Sequence, residues 1–250
     1  MLNYVRYLKS DLYKLYHSSF FVIHLLIPTS GVAMLLLFAV ISNSDTPAKL
    51  AAFCQFIAIA FPFIISMVCF MLVEQEAKAG HFQNILCLPG RKAVLLSKLT
   101  ILLASGLFSV LLTSTSFSIL FPLVSEAAEI PIGFYTLIPL VLWGSHLFLY
   151  CFHLLIAFRF GKNVGIGLGG LGSLLAALLY TGLGSGLWFV VPYGWGIHFS
   201  MYALQSLLGV IPSDLAEFRL GFVFSALFTC AIIVTLPVWF SRYNGNRASD

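Results

Sequence analysis

Six stretches of the chain are apolar on every side: residues 20–42, 51–73, 95–123, 133–157, 164–190 and 219–240. A bilayer core about 30 Å thick takes about 20 apolar residues as a helix, so each stretch predicts a membrane-spanning helix. Barrel strands would alternate apolar and polar over segments of about 10 residues, and no such alternation runs through these stretches. The stretch 95–123 exceeds one bilayer thickness and is expected to tilt or to extend into the cytosol. Three pieces between the spans carry patterns of their own. In residues 3–16, Val5, Leu8, Leu12 and Leu15 recur at helical spacing while Arg6, Lys9, Ser10 and Lys14 fall off that stripe. With Tyr4, Tyr7, Tyr13 and Tyr16 suited to the headgroup zone, residues 1–19 predict an amphipathic helix on the inner leaflet. Residues 74–94 form a polar loop with a turn at Pro89-Gly90. Residues 191–218 are semi-apolar but interrupted by Pro192, Gly194, Gly196, Gly209 and Pro212, which predicts short extracellular helices, lying on the outer surface or re-entering it.

Composition makes lipid the solvent. Of 250 residues, 60% are hydrophobic and 9% charged, with a mean hydropathy of +1.00. Soluble chains are typically about 45–50% apolar and about 25% charged. A cytosolic enzyme, a disulfide-stapled secreted module and a disordered regulator are thereby excluded. The expectation is an all-α integral membrane protein whose single transmembrane domain occupies 1–250. The N-terminus does not read as a signal peptide, because its basic segment reaches Lys14 and the apolar run after it is too long. Cys54, Cys69, Cys87, Cys151 and Cys230 show no paired spacing and read as small packing residues.

Charge then orients the helices. With the N-terminus in the cytosol, Arg6, Lys9, Lys14, Lys78, Arg91, Lys92, Lys98, Arg159, Lys162, Arg242 and Arg247 fall inside, and only Lys49 and Arg219 outside. Asp11, Glu74, Glu76 and Asp250 are inside; Asp45, Glu126, Glu129, Asp214 and Glu217 are outside. Eleven cations against four carboxylates leave +7 inside, and two against five leave −3 outside, together the +4 of the chain. The positive-inside rule supports this orientation, with both termini cytoplasmic in a multi-pass protein of the cell membrane. The excess positive charge is a topological signal and implies no nucleic acid.

Candidate motifs divide into packing features and one docking feature. Gly167, Gly169 and Gly172 match a dinucleotide fingerprint as a string, but they open a membrane helix and no acidic residue follows until Asp214. Eleven of the 20 glycines lie between Gly161 and Gly196, including the pairs Gly165 with Gly169 and Gly182 with Gly186. Such spacing permits close helix approach, within the bundle, at a subunit interface or at a moving gate. His146 and His153 lie two turns apart on one face, without the third ligand or carboxylate that a zinc or hydrolytic site needs. They read as buried hydrogen-bonding residues, with an intramembrane enzyme as the rival reading, and no metal site is expected. No span carries an acidic or basic group near its middle, as an ion-coupled transporter would. The chain also lacks a P-loop, so a non-catalytic subunit that relies on a partner ATPase is the economical inference. Glu74 and Glu76 oppose the dipole of the helix they follow, and make sense if a new short helix starts there and projects for docking. Its candidate contacts are Glu74, Glu76, Gly80, His81, Phe82 and Gln83.

The ordered set Glu74-x-Glu76-x-x-x-Gly80-x-Phe82-Gln83-Asn84 then Ser97-Lys98 resembles the first cytoplasmic loop of ABC-2 type permeases. More narrowly it resembles the E and G permease subunits of lantibiotic-immunity transporters. Asp11-Leu12-Tyr13-Lys14 with His24-Leu25-Leu26-Ile27-Pro28 is similar to their entry helix and first span. Arg159-Phe160-Gly161-Lys162 before a Gly-rich span, and Gly184-x-Gly186-x-Trp188 before Pro192-x-x-Trp195, are similar to theirs as well. Where that family often has a basic residue after the Trp, this chain has His198. The resemblance implies six helices of type V exporter kind, a coupling helix around 74–84 and an N-terminal interface helix. It also implies a second permease chain, the same or paralogous, and a cytoplasmic ABC ATPase dimer that holds ATP and magnesium, this chain holding no cofactor. The implied cargo is a lanthionine antimicrobial peptide expelled from the producer's membrane. A bacitracin-like drug, a lipid or an ion is the alternative.

Overall fold

The computed structural model describes residues 2–88, 90–125, 130–211 and 214–245. Pro89, Glu126, Glu129, Pro212, Arg247 and Asp250, used above, lie outside the described residues. The described residues form helices joined by short turns, without a strand. In order they form α1 (Leu2–Tyr16), α2 (Phe20–Ile41), α3 (Thr46–Lys78), α4 (Gln83–Leu86), α5 (Arg91–Val124), α6 (Gly133–Ser145), α7 (Leu147–Leu179), a 3-10 turn (Gly182–Gly184), α8 (Pro192–Leu207) and α9 (Leu215–Ser241). Five helical stretches are long and apolar enough to cross a membrane: α2, α3, α5, α9 and the run Gly133–Leu179.

That long run is not straight. The first break is at His146, where the Ser145 hydroxyl and the imidazole Nδ1 both turn back to the Leu142 carbonyl. The second is Gly161, whose φ of 75° and ψ of −162° are open to glycine but not to other residues. Partners on α3 show what this second break does. Phe61 meets His146 and Cys69 meets the Tyr150 carbonyl, so up to there both chains advance together. Beyond Gly161 the order reverses: Lys162 lies over Phe70, Gly165 accepts from Ser66, the Phe63 amide donates to Ser173, and Gln55 reaches Tyr180. Residues 147–160 and 162–179 are thus two antiparallel arms on one helix, α3.

The core runs along α3, α5 and α7, where Phe53, Phe117 and Phe134 cluster. Pro28 lacks the amide that would bond the His24 carbonyl, and Ser109 of α5 donates to that carbonyl instead at 3.1 Å. Two expectations change. The helix expected to run to 190 stops at Leu179, because the Thr181 hydroxyl caps a 3-10 turn and Gly186 takes a left-handed φ of 74°. Segment 191–218 contains one 16-residue helix, α8, packed against α3, α6 and α7 instead of several short surface helices. Its first turn lies beside the bundle histidines, with the Tyr193 hydroxyl 3.4 Å from His153 and Gly196 against His146.

Candidate functional site: the base of the bundle

The last turns of α3 carry the two carboxylates singled out above, and the structure separates their fates. Glu74 is half-exposed and pairs with Lys78, one turn on, at 3.0 Å. Glu76 is 3% exposed and points into the protein. There its Oε1 accepts from Lys98 of α5 at 2.7 Å and from Lys14 of α1 at 2.9 Å. Lys98, 1% exposed, also reaches Asp11 of α1 at 3.1 Å, and the other oxygen of Asp11 accepts from the Ser97 hydroxyl at 2.6 Å. Two carboxylates and two ammonium groups make a neutral cluster that ties α1, α3 and α5 together. Buried charge is tolerated only when paired and hydrogen-bonded in this way.

This cluster corrects two expectations. Glu76 starts no new helix and cannot touch a cytosolic partner: α3 continues through it to Lys78, and the cations of α1 and α5 compensate its charge at the helix end. Asp11 turns α1 so that Tyr4, Leu8, Asp11 and Leu15 face the bundle, while Val5 and Leu12 of the expected apolar stripe stay exposed. Tyr4 completes the seam with a 2.9 Å bond to Thr100.

Past Lys78 the chain makes a tight turn. Gly80, His81 and Phe82 all have positive φ, 144°, 49° and 65°. His81 and Phe82 are side-chain-bearing residues in a region that costs of order 1–3 kcal/mol each and persists only where surroundings impose it. The imposing contacts are visible. The Phe82 ring is buried 6.1 Å from that of Phe158 and 6.0 Å from that of Tyr243. Asn84 donates to the Ala79 carbonyl at 3.1 Å. Arg91 bridges the Leu86 carbonyl and that of Tyr243, the latter at 2.8 Å, and Tyr243 donates to the Phe158 carbonyl at 3.1 Å. Anchored from within, the turn presents His81, Gln83, Asn84 and Cys87 outward beside exposed Lys78. Gly80 is half-buried and Phe82 is an anchor, not a contact.

The glycines and histidines sort by the space around them. A Cβ on Gly169 would stand 2.4 Å from the Ser66 Cβ, and one on Gly172 would stand 2.3 Å from Tyr193. Gly165, Gly182 and Gly186 have nothing within 4 Å, and the last two lie in the turns after α7, so their spacing is not a helical one. Close approach also occurs at Gly106, against the Tyr150 hydroxyl, and at Gly196 and Gly221, which no spacing pattern marked. His146 and His153 are fully buried, and no group of three metal-binding side chains occurs among the described residues. At the opposite end, Trp188 stacks on His198 with ring centroids 4.1 Å apart and donates to Glu217 at 2.7 Å. His198, which stands where the resembling family often has a basic residue, is thus half-buried against Trp188, with its Nε2 3.0 Å from the Leu179 carbonyl.

Among known proteins, a family profile described as ABC-2 family transporter protein matches residues 7–169. The match takes in α1 from Tyr7 onward, the ionic cluster, the turn at 79–82 and α7 as far as Gly169. No curated protein and no solved structure matches.

Proposed function

The chain belongs to the ABC-2 family of transporter proteins, and from that premise we propose that it is a permease subunit whose base docks a cytoplasmic ABC ATPase dimer. The family is one of membrane transport components, which leaves ATP and magnesium to the partner. Six crossings with both termini in the cytosol follow if the two arms that reverse at Gly161 each span the membrane. The positive-inside count supports that orientation.

One observation carries the docking reading: the exposed turn 78–87 is braced by the buried Phe82 ring against Phe158 of α7 and Tyr243, and by Arg91 of α5. A surface that merely connected two helices would not need two left-handed side-chain-bearing residues or an internal aromatic anchor. Closure of the ATPase dimer would push on this turn, and the Glu76–Lys98–Asp11 cluster would pass the displacement to three helices as a unit. In this reading His81, Gln83, Asn84 and half-exposed Glu74 make the contacts, while Glu76, Gly80 and Phe82 hold the turn in shape. A second permease chain completes the pathway. The cargo we propose is a lanthionine peptide removed from the membrane, on the strength of the sequence resemblance in 11–28, 74–98, 159–162 and 184–195.

The test is a pull-down of the co-expressed ATPase with full-length chain carrying His81→Ala and Gln83→Ala together. Retention should fall while the melting temperature stays put; unchanged retention sinks the docking assignment. Sensitivity of cells to a panel of lanthionine peptides and to bacitracin separates the two cargo classes. Replacing His146 and His153 with Gln should leave transport in place, whereas an intramembrane enzyme would lose its activity.

A further inference from the structure

Five helices carry a proline in their interior, and one of these sites is built differently from the rest. Pro28 of α2 removes the amide due to the His24 carbonyl, and Thr29, Ser30 and Gly31 follow it directly. Thr29 Oγ1 turns back to the Leu25 and Leu26 carbonyls at 2.9 and 3.0 Å, and Ser30 Oγ to that of Ile27 at 3.0 Å. Hydroxyls that bond back in this way bend a helix and slightly destabilise it, and glycine adds backbone freedom. Pro62, Pro139 and Pro237 are each followed by three apolar residues instead. At Pro122 the freed Ser118 carbonyl takes the Tyr135 hydroxyl at 3.3 Å, and Leu123 and Val124 follow. Although α2 stays helical from Phe20 to Ile41, its softest point is thus residues 28–31.

Space for a movement lies on the face that Pro28 presents to the bundle. α2 rests chiefly on α5 and touches α3 only lightly. Between the three helices is a cleft of about 240 Å³, lined by Pro28, Gly31 and Met34 of α2, Ile57 and Ala60 of α3, and Ser109 of α5. A proline ring clashes with the carbonyl one turn back, so it pushes the two halves of its helix apart on its own side. Because Pro28 faces the cleft, its bend tips residues 29–41 away from α3, and straightening brings them back. The half before Pro28 is held: Phe20 is fully buried, and His24 Nδ1 donates to the Phe20 carbonyl at 2.7 Å. Ser109 secures the bent form, its hydroxyl supplying at 3.1 Å the donor that the His24 carbonyl has lost. The link 42–45 ties the far end of α2 to α3, so the movement is a short one.

We propose that α2 is a two-position gate pivoting at Pro28, with Ser109 of α5 holding it open and the cleft beside α3 receiving residues 29–41 when it closes. Displacement of the base would reach the pivot through α1, which runs into α2 at residues 17–19; that use of the gate rests on the transporter reading above, whereas the pivot belongs to this chain alone. The experiment attaches a trifluoromethyl label to Met34→Cys in the full-length chain in detergent, without an ATPase, and records fluorine NMR spectra. Exposed Cys87 and Cys230 take the label as well and serve as fixed references. Ser109→Ala should raise a second Met34 signal about five-fold, the population shift that one hydrogen bond supports. Pro28→Ala, which restores the missing amide, should make that same signal the main one. A label at Leu25→Cys, exposed and before the pivot, should respond to neither substitution. A Met34 signal unmoved by either substitution, second signals at different positions in the two variants, or an equal response at Leu25 overturns the proposal. Failure of the docking assignment would leave these spectra unchanged, since no ATPase is present.

Discussion

Replacing Lys98 with Met should be among the most damaging single changes at the base of the bundle. Lys98 is shared by two carboxylates, Glu76 at 2.7 Å and Asp11 at 3.1 Å, and all three groups are almost fully enclosed. At an effective dielectric constant of about 20 the gross attractions are roughly 6 and 5 kcal/mol, most of which offsets the desolvation of the three charges. Truncation removes the attraction and leaves the desolvated carboxylates behind, facing each other across the vacated space. Breaking a buried pair by removing one partner typically costs about 3–5 kcal/mol, and a cation serving two anions belongs at the upper end. Lys14 is one-third exposed and reaches only Glu76, so it cannot substitute for Lys98 at Asp11. Removing all three charges is different, because the one ion left without its partner, Lys14, is one-third exposed to solvent: Asp11→Asn, Glu76→Gln and Lys98→Met together should recover most of the loss. Thermal unfolding in detergent, followed by tryptophan fluorescence, measures both variants, and limited trypsin digestion reports release of α1 by cleavage at Lys14. A Lys98→Met protein that melts like the parent would refute the reasoning. So would a triple variant no more stable than the single one.

Phe82→Ala removes the anchor of the turn at a cost of about 3–5 kcal/mol, lowering both melting temperature and ATPase retention. His81→Gly should instead stabilise the chain by of order 1 kcal/mol, since glycine relieves its positive φ, while weakening retention through the lost side chain. Gly169→Val overfills the seam with Ser66 and should cost about 1–3 kcal/mol in melting experiments. Gly165→Ala, with open space around it, should be neutral or stabilise by up to about 1 kcal/mol. Sidedness can be read from the natural cysteines: Cys54, Cys69 and Cys151 are buried, Cys87 is exposed beside the docking turn and Cys230 is exposed within α9. A membrane-impermeant maleimide should label Cys87 in inside-out vesicles; labelling of Cys87 in sealed right-side-out vesicles contradicts the proposed orientation.

The apolar stretches were legible because a lipid-facing helix needs no periodicity, and α2, α3, α5 and α9 lie within a few residues of where hydropathy puts them. The ionic cluster was not legible as a cluster. Its members, Asp11, Lys14, Glu76, Ser97 and Lys98, come from three helices, and nothing local in the chain says that they meet. In sequence Glu76 reads as projecting into water, and Asp11, Lys14 and Lys98 only as charges on the inner side. The same tertiary pairing turned α1: a polar residue on the expected hydrophilic flank became the most buried point of its turn. The expectation of several short helices in 191–218 failed for a related reason. The glycines there look like breaks, yet Gly196 of α8 is small so that the helix can pass His146, and Gly172 of α7 so that it can receive Tyr193 of α8. A hydropathy window registers the missing side chains and not the neighbour that occupies their space.

Glu76 and Asp11 are taken into the interior together with Lys98 and Lys14, so the inner face keeps its net positive charge. The carboxylate that stays at the surface of the loop, Glu74, is neutralised by Lys78. Around it Lys92, Arg159 and Lys162 are exposed, the last two flanking the reversal at Gly161. The face therefore carries net positive charge, and the complementary surface on the ATPase should be acidic. Positive charges at the rim of an interface chiefly raise the association rate and make it sensitive to salt. Raising the ionic strength from about 0.1 M to 1 M shortens the screening length from about 10 Å to 3 Å, so ATPase retention should drop across that range. Lys92→Glu with Lys162→Glu should lower retention at low salt and flatten the dependence. Retention that is insensitive to salt and to both reversals would mean that the partner reads the shape of the turn at His81–Asn84 alone, and that the basic face serves the anionic headgroups beside it.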